Sequence, residues 1–130
     1  MSQDQIFISY SSPDKDWVKE FAKSLRSRGL MVWLDQDQIR AGDSINEAIE
    51  RGLRESSYVL FVLTPETINR PNLLFEMGAA LGMRKAIVPV VSRDLDVSAL
   101  PQPLRSRRYL VRDSPEETAE QFVLETAARS

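Results

Sequence analysis

Glu76 is the only charged residue between Pro71 and Arg84, in a run that reads Asn72-Leu73-Leu74-Phe75-Glu76-Met77-Gly78-Ala79-Ala80-Leu81-Gly82-Met83. A helix that is apolar nearly all round is a buried helix. A carboxylate inside one is costly unless something pairs with it. No Lys or Arg lies within four residues of Glu76 on either side, so the helix itself supplies no partner. Two readings fit that isolation: a carboxylate that reaches solvent at the helix rim, or one kept for chemistry. Carboxylates in unusual surroundings gather at functional sites but also occur in structural networks.

The remaining residue types narrow the chemistry. The chain of 130 residues has no Cys and no His. Thiol nucleophiles, Ser-His-Asp triads, disulfides and the usual zinc sites are therefore excluded within it. Catalysis, if present, must use carboxylates, hydroxyls, Lys, Arg or backbone groups. The net charge of −2, with 42% hydrophobic and 28% charged residues, is ordinary for one soluble globular domain. No block of like charges stands out, which argues against nucleic acid as a direct partner. Arg105, Arg107 and Arg108 form one small basic cluster, read as solvated surface or as a contact patch. No apolar run approaches the roughly 20 residues a membrane span needs. Met1-Ser2-Gln3-Asp4-Gln5 is too short and polar for a signal peptide. A cytoplasmic protein without membrane contact is expected.

Five short apolar runs alternate with helical stretches. Ile6–Tyr10 reads as the first strand. Ser12 is the expected cap of the next helix, with Pro13 at its first position and Gly29 at its end. Leu30–Leu34 is the second strand, and a polar loop runs from Asp35 to Asp43. Ser44 and Glu47 form a capping box for a helix whose buried face is Ile45, Ala48, Ile49 and Leu53. Tyr58–Leu63 is a third strand, followed by the loop Thr64–Pro71 and the helix carrying Glu76. Ala86–Val91 is the fourth strand, and its Pro89 argues for a bulge or a sheet edge. Ser92–Ser106 is a long, irregular connection, Arg108–Val111 a short fifth strand, and Ser114-Pro115-Glu116-Glu117 opens a last helix.

Such alternation means a parallel sheet covered on both faces. The expected fold is α/β and flavodoxin-like, with five strands in the order 2-1-3-4-5. Ligands in such sheets bind beyond the carboxyl ends of the strands, where the strand order reverses. That point lies between the first and third strands. Glu76, in the first two turns of the helix after strand three, is thereby placed at the rim of the expected crevice. A phosphoacceptor receiver shares this fold class but needs an acidic pair after strand one and an Asp ending strand three. Here those positions are Tyr10-Ser11-Ser12 and Leu63-Thr64, so that reading fails.

Several segments together resemble the Toll/interleukin-1 receptor (TIR) domain family. Ile6-Phe7-Ile8-Ser9-Tyr10-Ser11, with Asp14, Lys15 and Trp17, is similar to its first box, F-I-S-Y-S-x-x-D. Gly29–Asp35, continuing to Ile39-Arg40-Ala41-Gly42-Asp43-Ser44-Ile45, resembles its second strand and BB loop. Ser56–Pro65 resembles its third strand, and Asn72–Met77 stands in the position of its W-x-x-x-E motif. The resemblance implies either a scaffold that recruits other TIR domains or, as in the enzymatic bacterial members, an NAD+ hydrolase or cyclase. Such an enzyme cleaves the nicotinamide–ribose bond, with NAD+ as substrate and no cofactor or metal. In the enzymatic group a Glu on the helix after strand three is required, and Glu76 matches it. Cleaving an N-glycosidic bond builds positive charge on the ribose, which one nearby carboxylate can stabilise or trap covalently.

The other carried-over positions are Tyr10 and Ser11, expected to face the crevice at the end of strand one, and Trp33, which either stacks on the nicotinamide or adenine or is a core aromatic. Asp35 either reaches a ribose hydroxyl or starts the loop. Arg40, Ala41, Gly42 and Asp43 lie in the loop that the resemblance implies gates the site and contacts other TIR domains in a homo-oligomer or filament. Asn72 stands where the family motif has Trp, as helix cap or as hydrogen-bond donor in the site. The segment around Glu76 also looks like the Glu helix of nucleoside 2-deoxyribosyltransferases, the alternative enzymatic reading. The boxes at 6–17 and 29–45 decide for TIR. The resemblance further suggests a domain at 1–130 excised from a longer immune or anti-phage signalling protein with a C-terminal sensor.

Overall fold

The computed structural model describes residues 5–34, 45–68 and 71–127. Strands β1 (Gln5–Ser9), β2 (Met31–Leu34), β3 (Tyr58–Leu63), β4 (Ala86–Val91) and β5 (Leu110–Val111) form one sheet. Every ladder is parallel, and the order is β2-β1-β3-β4-β5, as the strand–helix alternation predicts. The described α-helices are α1 (Lys15–Ser27), α2 (Ile45–Glu55), α3 (Pro71–Gly82), α4 (Gln102–Arg105) and α5 (Pro115–Ala127).

Side chains alternate across a strand, and both faces of this sheet are covered. Ile6 and Ile8 of β1 join a core with Val18, Phe21 and Leu25 of α1 and Phe122 of α5. Phe7 turns the other way, into a core with Ile49 and Leu53 of α2 and Leu73 and Met77 of α3. Two apolar layers thus sandwich the sheet. α1 buries Val18, Phe21, Ala22 and Leu25, the stripe expected from their helical spacing. It ends at Gly29, where φ is +89°, a conformation glycine adopts without steric cost, and Leu30 N–H closes on the Leu25 carbonyl at 3.2 Å.

Local differences from the sequence expectation have physical causes. Ser12 does not cap α1. Ser12–Asp14 forms a 3-10 turn in which the Asp14 N–H donates to the Ser11 carbonyl at 2.9 Å, and α1 starts at Lys15. The Asp14 carboxylate caps nothing, because Arg112 Nη1 donates to its Oδ1 at 2.7 Å from 98 residues away. Arg112 also lies over the Trp17 ring, 4.5 Å from its centroid, and Trp17 Nε1–H donates to the Asp113 carbonyl at 2.9 Å. These bonds tie the start of α1 to the connection between β5 and α5. At that connection Ser114 does cap α5, accepting from the Glu117 N–H at 3.1 Å.

Pro89 sits inside β4 opposite Phe61, with no bulge in the register. The Val91 carbonyl faces β5, accepting from Arg112 N–H at 2.7 Å. Backbone groups alternate between the two edges of a strand, so Pro89 also presents its missing N–H to the β5 side. The ladder to β3 stays whole, and β5 pairs only with Val90 and Val91. It is shorter than the Arg108–Val111 expected. The connection over 92–106 is more regular than its composition suggests. It holds a 3-10 turn, Val97–Ala99, and α4, anchored by buried Leu95, Leu100 and Leu104.

α3 is not buried all round. Leu73, Glu76, Met77 and Ala80 form its buried stripe, whereas Phe75 is 47% exposed and Gly78 faces solvent. One apolar face of this helix is left open. Among the described residues, no helix is long and apolar enough to cross a membrane.

Candidate active site

β1 and β3 lie side by side, with Ser9 opposite Phe61. The chain leaves β1 toward α1 on one face of the sheet, whereas α3 follows β3 and packs on the other. The two connections therefore part at the carboxyl ends of these strands, the place where such a sheet opens a crevice. Glu76 enters there from the second turn of α3.

Glu76 is 1% exposed. Ser9 Oγ–H donates to its Oε1 at 2.9 Å, a bond that spans 67 residues of sequence. Ser9 is itself buried. Of the two readings of the isolated carboxylate, solvent contact at the helix rim is ruled out by this burial. A carboxylate taken from water is costly unless hydrogen bonds replace the lost ones, and a hydroxyl donating to it is one such replacement.

Ser9 is absent from the residues expected at the site, which instead included Tyr10 and Ser11. The alternation of β1 explains the difference. Phe7 and Ser9 point toward α2 and α3, and Ile8 and Tyr10 point toward α1 and α5. Tyr10 is 2% exposed in the core beside Val18 and Phe21, across the sheet from Glu76, so its side chain does not face the crevice side where Glu76 lies. Ser11 is buried, and its carbonyl accepts from Asp14. Counting alternate positions from Phe7 places the Ser9 hydroxyl on the α3 face, and that phase is the signal that points to it.

Trp33 is on the same face as Ser9, opposite Phe7 in the β1–β2 register. Its ring stacks on Phe7, with centroids 4.8 Å apart and planes 13° from parallel. Gly52 of α2 lies against the ring so closely that a Cβ there would be 2.7 Å from both carbons of the ring-fusion bond. An atom equidistant from those two carbons lies over the ring face. With 8% exposure, Trp33 has the surroundings of a core aromatic. Asp35, Arg40, Ala41, Gly42, Asp43 and the expected cap Ser44 lie outside the described residues. Asn72 is in the first turn of α3, and its side chain is outside the described ones.

Among the described residues no three acidic groups converge to hold a metal ion. A cavity of about 640 Å³ opens at the amino end of β4, walled by Ile87, Arg107, Leu110, Phe122 and Leu124. Ser9 and Glu76 do not line it. Two of the three clustered arginines are on its wall, and Arg108 there pairs with Glu125. The Ser9–Glu76 pair lies at the opposite end of the sheet. A buried carboxylate that accepts from a serine hydroxyl can stabilise positive charge developing on a substrate carbon.

The TIR domain family model matches residues 6–123. The 2' cyclic ADP-D-ribose synthase BtTIR of Bacteroides thetaiotaomicron is 30% identical over 93 residues, covering 68% of this chain and 32% of that protein. The NAD(+) hydrolase TcpC of Escherichia coli is 27% identical over 129 residues, covering 88% of this chain and 42% of that protein. The chain thus spans less than half the length of these relatives. Among solved structures, the TIR domain of the Toll-related receptor TRR-2 from Hydra magnipapillata superposes with a TM-score of 0.77 at 19% identity, covering 96% of this chain and 98% of that one.

Proposed function

The chain belongs to the TIR domain family, and on that footing we propose that it cleaves NAD+ at the nicotinamide–ribose bond, with Glu76 as the catalytic carboxylate. The observation that carries this reading is the buried Glu76 on α3, bonded to Ser9 where the β1 and β3 connections part. The activities for which the Bacteroides and Escherichia coli relatives are named support the substrate. Nicotinamide leaves with the bonding electrons, and the ribose carbon becomes an oxocarbenium-like centre. The Glu76 carboxylate stabilises that charge or bonds to the carbon. Water then adds at this carbon to give ADP-ribose and releases a proton. Attack by a group of the substrate's own ADP portion gives a cyclic isomer instead. Neither course needs a thiol or an imidazole, and the chain has neither. Incubating the protein with NAD+ and following free nicotinamide tests the reading; a folded, concentrated protein that releases none refutes it.

We further propose that activity depends on TIR–TIR assembly, with Arg40, Ala41, Gly42 and Asp43 contributing contacts between copies and Asp35 and Asn72 contacting the substrate. The setting would be the cytoplasm, in a longer immune or anti-phage signalling protein. The apolar face that α3 leaves open at Phe75, one residue from Glu76, supports a role for association. A site that is only fractionally in its competent form loses apparent affinity in proportion. Turnover per molecule is therefore expected to rise with protein concentration, or on fusion to an oligomerising partner. Arg40→Ala should blunt the rise. A high, concentration-independent rate across a wide dilution series would overturn the assembly model.

A further inference from the structure

We propose that the Ser9 hydroxyl sets the plane of the Glu76 carboxylate for bond cleavage, which makes Ser9 a positioning residue of the site; this role rests on the NAD+-cleavage reading above. The last torsion of a Glu side chain is broad, so rotamer preference alone does not fix the orientation of its two oxygens. Packing along the α3 stripe places the carboxylate, but apolar neighbours such as Leu73 and Met77 exert no directional hold on it. Ser9 supplies a directional hold at 2.9 Å.

The donor is itself rigidly placed. Ser9 ends β1, a strand paired on both sides, and stands in register with Phe61 of β3. Its side chain has a single short torsion to its oxygen. A hydroxyl on a central strand therefore holds a carboxylate on a helix, and both groups are more than nine-tenths buried. A hydrogen bond to an ionised acceptor is about twice as strong as a neutral one, so a hydroxyl facing a carboxylate is a firm anchor for it. Reacting groups must lie within roughly 0.5 Å and 10–20° of the productive geometry, and sites built on strands and helices meet that tolerance better than loops. Tyr10 does not substitute for Ser9, because the next side chain along the strand goes to the opposite face.

The test is steady-state kinetics of nicotinamide release by wild type, Ser9→Ala, Ser9→Thr and Glu76→Gln at matched high protein concentration, with a melting curve for each. Ser9→Ala is expected to lower kcat about 10- to 100-fold with little change in KM. Ser9→Thr keeps the hydroxyl and should recover most of the loss. Adding Ser9→Ala to Glu76→Gln should lower the rate no further, because residues that act as a unit are not additive. A wild-type kcat in folded Ser9→Ala overturns this role and leaves the NAD+ reading standing. A loss that appears in KM, or that Ser9→Thr fails to recover, assigns Ser9 to strand packing and overturns the role as well. A wild-type protein that releases no nicotinamide overturns the reading of the site and this role with it.

Discussion

Glu76→Gln is expected to abolish nicotinamide release while the protein stays folded. Gln has nearly the same shape as Glu and keeps an oxygen that can accept from Ser9, so the contact at 2.9 Å has a replacement partner. The apolar stripe of Leu73, Met77 and Ala80 around it is untouched. What disappears is the negative charge that the proposed mechanism sets against the ribose as it becomes cationic. Removing one preorganised electrostatic stabiliser typically costs on the order of 10²–10³ in rate, and loss of a group that also bonds to the carbon costs more. Stability should hold or rise, because replacing a buried charge with a neutral group relieves its desolvation. The measurements are nicotinamide release by chromatography and a melting curve on the same preparation. Wild-type turnover in folded Glu76→Gln would end the catalytic assignment.

Trp33→Ala is expected to act mainly on stability. The ring is 8% exposed, stacked on Phe7 and covered by Gly52, so truncation leaves a cavity between β2 and α2. Replacing a buried Trp by Ala typically costs about 3–5 kcal/mol, a large part of the total stability of a domain of this kind. The same contact predicts a companion effect. Gly52→Ala would place its Cβ 2.7 Å from the ring and force the helix or the indole to shift. Overpacking of that sort costs about 1–3 kcal/mol. In the Trp33→Ala background the added methyl meets a cavity, so its cost should vanish or reverse, a coupling expected of residues in contact. Denaturant unfolding of the two single variants and the double variant measures all three effects. If Trp33→Ala instead melted like wild type and raised KM for NAD+ severalfold, the ring would be a surface for the substrate and its core role would be wrong.

Much of this architecture follows from local periodicity. Apolar runs too short for helices alternate with amphipathic stretches, and only a parallel sheet with covered faces accommodates that pattern. The order β2-β1-β3-β4-β5, the end of α1 at Gly29 and the cap at Ser114 were all legible in this way. So was the position of Glu76 at the β1–β3 switch point, since topology places the start of a helix once its preceding strand is placed.

Tertiary structure decided which side chains meet there. A strand has a period of two, so an error of one residue in its end or phase moves a side chain to the other face. That is why Tyr10 belongs to the α1–α5 core and Ser9, one position earlier, meets Glu76. Trp33 is a strong strand former under either reading, and only the approach of Gly52 and Phe7 makes it core. Phe75 is exposed for the complementary reason: an apolar pattern states a tendency to be covered, and no described element covers that face of α3. The Arg112–Asp14 bond likewise depends on α1 and α5 sharing a face of the sheet. Periodicity along the chain determines elements and their order; contacts between residues 67 or 98 positions apart arise only when packing fixes the phase of each element against the next.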